Sequence, residues 1–344
     1  MSIVEGILLF LKKIIPKLIF LFFRPVYHLV LAFLASVFYG FPSRKLKIIG
    51  VTGTNGKTTV VHLLSHILRE SGFRVAYISS LEFRILDKVK KNDLKMTMPG
   101  RFFIQRFLRK CVKNKIEYVV LEVTSEGIKQ FRNKFIRFNS AVFTNVTPEH
   151  IESHGSFENY LKAKVSLFRS LGADATAVIN RDDQSFNKFV AATSAKKALY
   201  GKEKIVWRGK DFKIRDLSLG EGINFFLDGA LFSSHLLGEF NFYNLLAAIA
   251  CAVSEDLRFE NVRKAVESFR GVSGRLEFVQ KEPFSVVIDY AHTPDSLKKV
   301  YSFLRESNHK LICVLGAAGG GRDKWKRPEF GKIAGEFCDE IILT

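Results

Sequence analysis

The stretch Leu46-Lys-Ile-Ile-Gly-Val-Thr-Gly-Thr-Asn-Gly-Lys-Thr-Thr59 decides the fold. Leu46, Ile48, Ile49 and Val51 predict a short buried strand, and Gly53-Thr54-Asn55-Gly56 a tight loop. From Thr58 onward Val60, Val61, Leu63, Leu64, Ile67 and Leu68 recur at helical spacing. Strand, glycine loop and helix N-terminus together make a phosphate site. Glycines let backbone N–H groups converge on an anion, and the helix dipole adds positive potential. Lys57 can reach the outer phosphates, and the Thr58 hydroxyl can ligate Mg²⁺. The general spacing of such loops puts a glycine where Val51 stands; Gly50 sits one residue early and Gly53 two late. The order of the elements argues against a chance glycine turn. The kind of nucleotide must come from the rest of the chain.

The 344 residues suffice for two or three domains, and 47% hydrophobic with 25% charged residues describes a globular chain with ample core. Cys111, Cys251, Cys313 and Cys338 show no paired spacing, which points to a reducing compartment and away from a disulfide framework or a zinc site. The net charge of +19 suits anionic partners such as nucleotides or acidic headgroups. No basic block interleaved with aromatics stands out in the globular part, so nucleic acid is not an expected partner.

Residues 1–45 stand apart as an apolar, basic helical segment. Ile7–Leu11, Leu18–Phe23 and Leu29–Phe38 are strongly apolar, and Lys12, Lys13, Lys17, Arg24, Arg44 and Lys45 face one acid, Glu5. Pro25–Ser43 is uncharged for 19 residues, near the ~20 that span a bilayer, but Tyr27, His28, Gly40 and Pro42 interrupt it. A membrane-surface anchor, a helical hairpin packed on its own domain and a span are all open readings.

From Leu46 strands and helices alternate. Strands are expected at Val75–Ser79, Tyr118–Val123, Ala141–Thr144 and Thr176–Asn180, and a helix at Phe102–Cys111. The rhythm implies an α/β fold with a mainly parallel sheet covered on both faces, its ligands at the carboxyl ends of the strands. Gly53–Thr58, Glu122 and His150 lie at or just past such ends. Short strands are expected over 205–237, an apolar helix over Phe240–Ser254, and a fresh alternation from Phe284. The division is therefore 46–274 for a central phosphate-loop domain and 275–344 for a second α/β unit.

Eight further groups of residues carry a resemblance once they are read in order with that loop. They are Glu122-Val-Thr-Ser125, Thr144-Asn-Val-Thr-Pro-Glu-His150, Tyr160-Leu-Lys-Ala-Lys164 and Gly238-Glu-Phe-Asn-Phe-Tyr-Asn244, then Gly274-Arg-Leu-Glu277, Asp289-Tyr-Ala-His-Thr-Pro294 and Gly319-Gly-Gly-Arg-Asp-Lys-Trp-Lys-Arg-Pro328, with Thr97-Met-Pro99 on the acceptor side. Over residues 46–344 the chain resembles the Mur ligase family, and most the member that adds the third residue of the peptidoglycan stem peptide. The variant glycine loop is the form this family uses. The resemblance implies a phosphate-loop ATP-binding central domain, a Rossmann-like C-terminal domain, and ATP-dependent amide-bond formation through an acyl phosphate in the cytoplasm. The implied partners are a UDP-muramoyl peptide and an amino acid; the implied cofactors are ATP and Mg²⁺.

What the resemblance implies for single residues is specific. Gly53, Thr54, Asn55, Gly56, Lys57, Thr58 and Thr59 hold the phosphates, and Thr58 with Glu122 one Mg²⁺. His150 resembles the ligand of a second metal, and Lys164 the lysine that is carbamylated beside it. Asn241 and Asn244 resemble the adenine contacts, though Asn241 also suits a helix cap. Arg275 resembles the hinge arginine on the phosphates and Asp289 the ribose carboxylate, with His292 in the same turn. Thr97, Pro99, Thr124, Ser125, Gln130 and Arg132 match acceptor contacts, and Arg322 an arginine near the incoming amino acid. Met98 and Glu126 depart from the family pattern. So does the N-terminus, where related ligases carry a uridine-binding domain; this favours an acceptor already at the membrane. The C-terminal unit, ending at Ile341–Thr344 on an expected strand, is expected to be incomplete, and the amino acid added is not legible. Another Mur-type ligase, such as one acting on a lipid-linked precursor, a folylpolyglutamate-synthase-like ligase and a non-ligating nucleotide-binding protein are the alternative readings.

Overall fold

The structure, a computed structural model, describes the backbone from Lys17 and side chains from Phe23, apart from residues 95, 307–309 and 317–322. The chain begins with α1 (Lys17–Phe38) and a 3₁₀ turn (Pro42–Lys45). The first half then runs β1 (Lys47–Thr52), α2 (Lys57–Glu70), β2 (Val75–Ile78), β3 (Glu82–Ile85), β4 (Lys88–Lys91), α3 (Arg101–Lys113), β5 (Tyr118–Glu122), α4 (Ser125–Lys129) and β6 (Ser140–Phe143). It continues through α5 (Ile151–His154), α6 (Phe157–Arg169), β7 (Thr176–Asn180), α7 (Phe186–Ala191) and β8 (Lys196–Tyr200). Next come β9 (Lys204–Trp207), β10 (Lys210–Leu219), β11 (Ile223–Leu227), β12 (Ala230–Ser234), α8 (Glu239–Ser254) and α9 (Phe259–Ser268). The C-terminal part holds β13 (Glu277–Gln280), β14 (Val286–Ile288), α10 (Pro294–Arg305), β15 (Ile312–Leu315), α11 (Lys326–Phe337) and β16 (Glu340–Leu343).

Twelve strands form one sheet in the order β12-β11-β10-β9-β8-β7-β6-β1-β5-β2-β3-β4. The middle six, β8 to β2 in that order, are parallel. Every residue of β5 and β7 is buried, as a sheet covered on both faces requires. The odd and even side chains of β1 feed different cores. Ile49 and Val51 pack with α2 and α8 on one face, while Ile48 joins α3 and α6 on the other. From β1 the chain builds β2 and β5 to one side and then crosses to β6 on the other. That reversal opens a crevice at the carboxyl ends of β1, β5 and β6.

Two elements extend the expected sheet. The strands over 205–237 continue the central sheet as an antiparallel arm, and a hairpin, β3–β4, adds a second one. All four residues of β4 are exposed and three are lysine, so no apolar alternation marks it in the sequence. The expected Rossmann-like C-terminal unit is a small module of two two-stranded sheets, with α10 and α11 packed through Leu297, Val300, Tyr301, Phe330 and Ile333. At the N-terminus, α1 contains Pro25 and lies against α3, where Leu31, Ala32 and Ala35 are buried and Gln105 Nε2 donates to Ser36 Oγ at 2.9 Å. Among the described residues no helix is long and apolar enough to cross a membrane. The apolar run Ile7–Leu11 lies outside the described residues.

Gly50, in the middle of β1, has its missing side chain replaced by the Phe138 ring, whose Cε1 lies 2.8 Å from where a Cβ would sit. Gly50→Val should therefore overpack this core and lower stability by roughly 1–3 kcal/mol. Urea unfolding measures it; an unchanged midpoint would contradict the packing described.

Candidate functional site

The glycine loop is pinned from outside by the end of β6. Thr54 N donates to Asn145 O at 2.8 Å, Asn55 N to Asn145 Oδ1 at 2.9 Å, and Thr144 Oγ1 to Asn55 O at 2.7 Å. A Cβ on Gly53 would fall 1.9 Å from Thr144 Oγ1. Gly56 adopts φ 81° at the N-cap of α2, and its Cβ would fall 2.1 Å from Asn244 Oδ1. Both glycines are thus required by close approach, and Gly56 also by its left-handed backbone. Lys57 Nζ donates to Thr54 O at 2.8 Å; burial in the cleft lowers its pKa, against the pull of Glu122.

Two groups of donors lie beside the loop. In the first, Thr58 Oγ1 is 3.1 Å from Glu122 Oε2 and 2.9 Å from Ser80 Oγ, and Ser80 N donates to the same carboxylate oxygen at 2.9 Å. These hard oxygens suit Mg²⁺. In the second, Glu149, His150 and Asp323 bring their ligand atoms within 4.8 Å of one another. Glu149 Oε2 and Asp323 Oδ1 are buried without a hydrogen-bond partner, which fits a cation at this point. Burial, then the Lys164 and Lys57 charges, push His150 down to about 4, so its ring is neutral and free to donate a lone pair. Lys326 Nζ pairs with Glu149 and lies 3.7 Å from Asp323.

Lys164 sits behind the loop. It is almost wholly buried, donates to Gly53 O at 2.6 Å and lies 4.4 Å from the Tyr160 ring centre. Burial first, then the Lys57 charge, push its pKa well below the ordinary ammonium value. Its Nζ reaches the loop backbone and the Tyr160 ring and makes no hydrogen bond to Glu122 or His150.

The C-terminal module closes the cleft from above. Asn55 Nδ2 donates to Asp295 Oδ2 at 3.2 Å, Arg275 Nη2 to Thr58 Oγ1 at 3.4 Å, and Asp323 N to Glu152 Oε2 at 2.7 Å. Asp289 accepts from Leu276 N at 2.7 Å and Ala291 N at 2.6 Å, which ties the hinge to the turn that carries His292. The cleft has a volume of about 380 Å³ and is lined by loop residues, Glu122, His150, Asn241, Asn244, Arg275 and Asp289. Asn244 Nδ2 donates to Asn241 Oδ1 at 2.9 Å and Asn241 Nδ2 to Leu237 O at 2.9 Å. Gly238, not Asn241, is the helix N-cap.

Residues 51–252 match the Mur ligase middle domain and residues 274–344 the Mur ligase glutamate ligase domain. The chain belongs to the Mur ligase family. It is 39% identical to the UDP-N-acetylmuramoyl-L-alanyl-D-glutamate–2,6-diaminopimelate ligase of Parabacteroides distasonis, over 91% of this chain and 64% of that protein. Against the ligase of the same name from Halalkalibacterium halodurans the identity is 36%, over 91% and 65%. A solved structure of a ligase of this name aligns with TM-score 0.65 and 30% identity, over 87% of this chain and 61% of that one. The chain thus spans 64% and 65% of the length of these two curated relatives.

Of the residues expected to contact an acceptor, Thr97 and Thr124 line the cavity, whereas Pro99, Ser125, Gln130 and Arg132 do not. Thr124 caps α4 through Gly127 N, Ser125 Oγ is 3.2 Å from His154 Nε2, and Gln130 Nε2 donates to Glu126 Oε1 at 2.7 Å. Arg132 donates to Met98 O and to Gln130 Oε1, so it holds the Thr97–Pro99 loop in place. The departures are structural: Met98 is core, and Glu126 binds Ser153 Oγ at 2.8 Å. Arg322 and the Gly319–Gly321 loop lie outside the described residues.

Sequence reasoning missed Ser80, Glu149, Asp323 and Lys326. Glu149 adjoins His150 in a stretch that was read for its histidine, and Asp323 adjoins Arg322. Ser80 belongs to no motif; its signal was only its place two residues past β2. Gly56→Ala should weaken binding of ADP roughly tenfold or more, because the methyl group displaces Asn244 and strains the loop. Calorimetric titration reads this; unchanged affinity would remove Gly56 and Asn244 from the nucleotide site.

Proposed function

We propose that the chain is an ATP-dependent, ADP-forming ligase that joins an amino acid to a UDP-N-acetylmuramoyl dipeptide in peptidoglycan synthesis. The observation that carries this reading is the convergence, in one cleft, of Lys57, Arg275 and the α2 N-terminus with two groups of metal-type donors. The relatives' names supply the substrate class. The four free cysteines and the use of ATP fit the cytoplasm.

In this reading the acceptor carboxylate attacks the γ-phosphorus of ATP, ADP leaves, and an acyl phosphate forms. The amine of the amino acid then attacks the acyl carbon and expels phosphate, yielding the amide. Negative charge gathers on the transferred phosphoryl group, so catalysis rests on positioned cations and donors. Lys57 and Arg275 supply two cations, and the free N–H groups at the start of α2 supply donors. Thr58 and Glu122 would hold one Mg²⁺, and His150 with Glu149 and Asp323 a second; bound there, the metal neutralises phosphate charge. Asn241 and Asn244 would frame the base, Asp289 the ribose, and Thr97 and Thr124 the acceptor. Lys164, whose pKa burial pushes well below the ordinary ammonium value, would add CO₂ through its amine to give a carbamate, a negative group behind the loop.

Phosphate release should require both UDP-muramoyl dipeptide and an amino acid, and a panel of amino acids should identify the one added. Lys57→Ala should lower that release by 10² or more. ATP binding with no acceptor-dependent release would favour a nucleotide-binding protein instead.

A further inference from the structure

We propose that α1 docks this protein on the surface of a bilayer that contains anionic lipid. The inference stands on the helix alone and not on the ligase reading. Val26, Val30, Phe33, Leu34, Val37 and Phe38 recur at three- and four-residue steps, so they share one face, and each is 47–73% exposed. The opposite face is spent on α3, through Leu31, Ala32, Ala35 and Ser36. A helix that is apolar all round is normally buried all round, and soluble monomers rarely leave a contiguous apolar stripe of this kind in water.

The charges around the stripe choose its occupant. Lys17–Lys45 contains no acid. Helix α3 has five basic residues and no acid, and Arg106, Lys110 and Lys113 are exposed. The loop Lys129–Arg137, which packs Phe135 on Phe33 with ring centres 5.4 Å apart, adds further basic residues and no acid. An apolar face rimmed by one sign of charge suits headgroups of the opposite sign above acyl chains. A second copy of the chain would bring two such basic rims together, at a repulsive cost. Pro25 within the helix, and the face that it spends on α3 of its own domain, make this a helix that lies on the membrane and does not cross it.

The α3-facing side of the helix reaches the segment around Gln130. Arg101 Nη2 lies 2.6 Å from His28 Nδ1 of α1 and donates as well to Gln130 O.

Co-sedimentation of the full chain with vesicles tests this. Binding is expected to vesicles of phosphatidylglycerol and phosphatidylcholine in equal parts, to fall with added salt, and to be weak on phosphatidylcholine alone. The double variant Val26→Ser with Val30→Ser should bind roughly tenfold more weakly, with thermal unfolding unchanged. Amide hydrogen exchange on the unaltered chain gives a second readout, in which the anionic vesicles should slow exchange in α1. Failure of the unaltered chain to bind, or binding that both serines leave intact, would overturn the proposal. So would a concentration-dependent dimer that the double variant abolishes, which would assign the face to a second copy.

Discussion

The clamp that Thr144 and Asn145 place on the glycine loop is the contact on which the site depends. A phosphate cradle needs backbone N–H groups that are not used up by the protein. Here the Asn55 carbonyl and the Thr54 and Asn55 amides are satisfied from the end of β6, by a side-chain amide, a hydroxyl and one carbonyl. The Gly53 carbonyl is taken by Lys164 from behind. The loop is thereby held rigid while the start of α2 faces the cleft. The same two residues begin the segment that ends in Glu149 and His150, so anchoring the phosphate loop also places the second group of metal-type donors.

Charge balance ties the two units together. Lys57, Lys164 and Lys326 crowd one region, and Glu122, Glu149 and Asp323 are the carboxylates buried beside them. The Lys326–Glu149 pair joins α11 to the segment before α5. Breaking a buried pair by removing one partner strands the other charge, at a cost of about 3–5 kcal/mol. The C-terminal module is thus latched to the central domain by the groups that also neighbour His150.

Much of this was legible in the residues. The parallel core followed from largely apolar strands at β1, β5 and β7 alternating with helices, and the cleft from Gly53–Thr58 and Glu122 at strand ends. Asn241 and Asn244 were correctly set on one face of the apolar helix. What the sequence hid has physical causes. β4 is a lysine-rich edge strand with no buried face, so its pairing leaves no periodic trace. Gln130 and Arg132 matched an acceptor pattern, yet their polar ends are used inside the protein, a fact that depends on where Met98 and Glu126 fold. Glu149 and Asp323 stand 174 positions apart in the numbering (323 minus 149), and only the docking of α11 brings them together.

The central claim is that this cleft activates a carboxylate as an acyl phosphate. Oxygen tracing tests it most directly. UDP-muramoyl dipeptide labelled with ¹⁸O in its terminal carboxylate would be turned over with ATP and the accepted amino acid, and the released phosphate examined by ³¹P NMR. Attack of the carboxylate on the γ-phosphorus transfers one labelled oxygen to each phosphate, giving the isotope-shifted signal. Phosphate that carries no label would contradict the account.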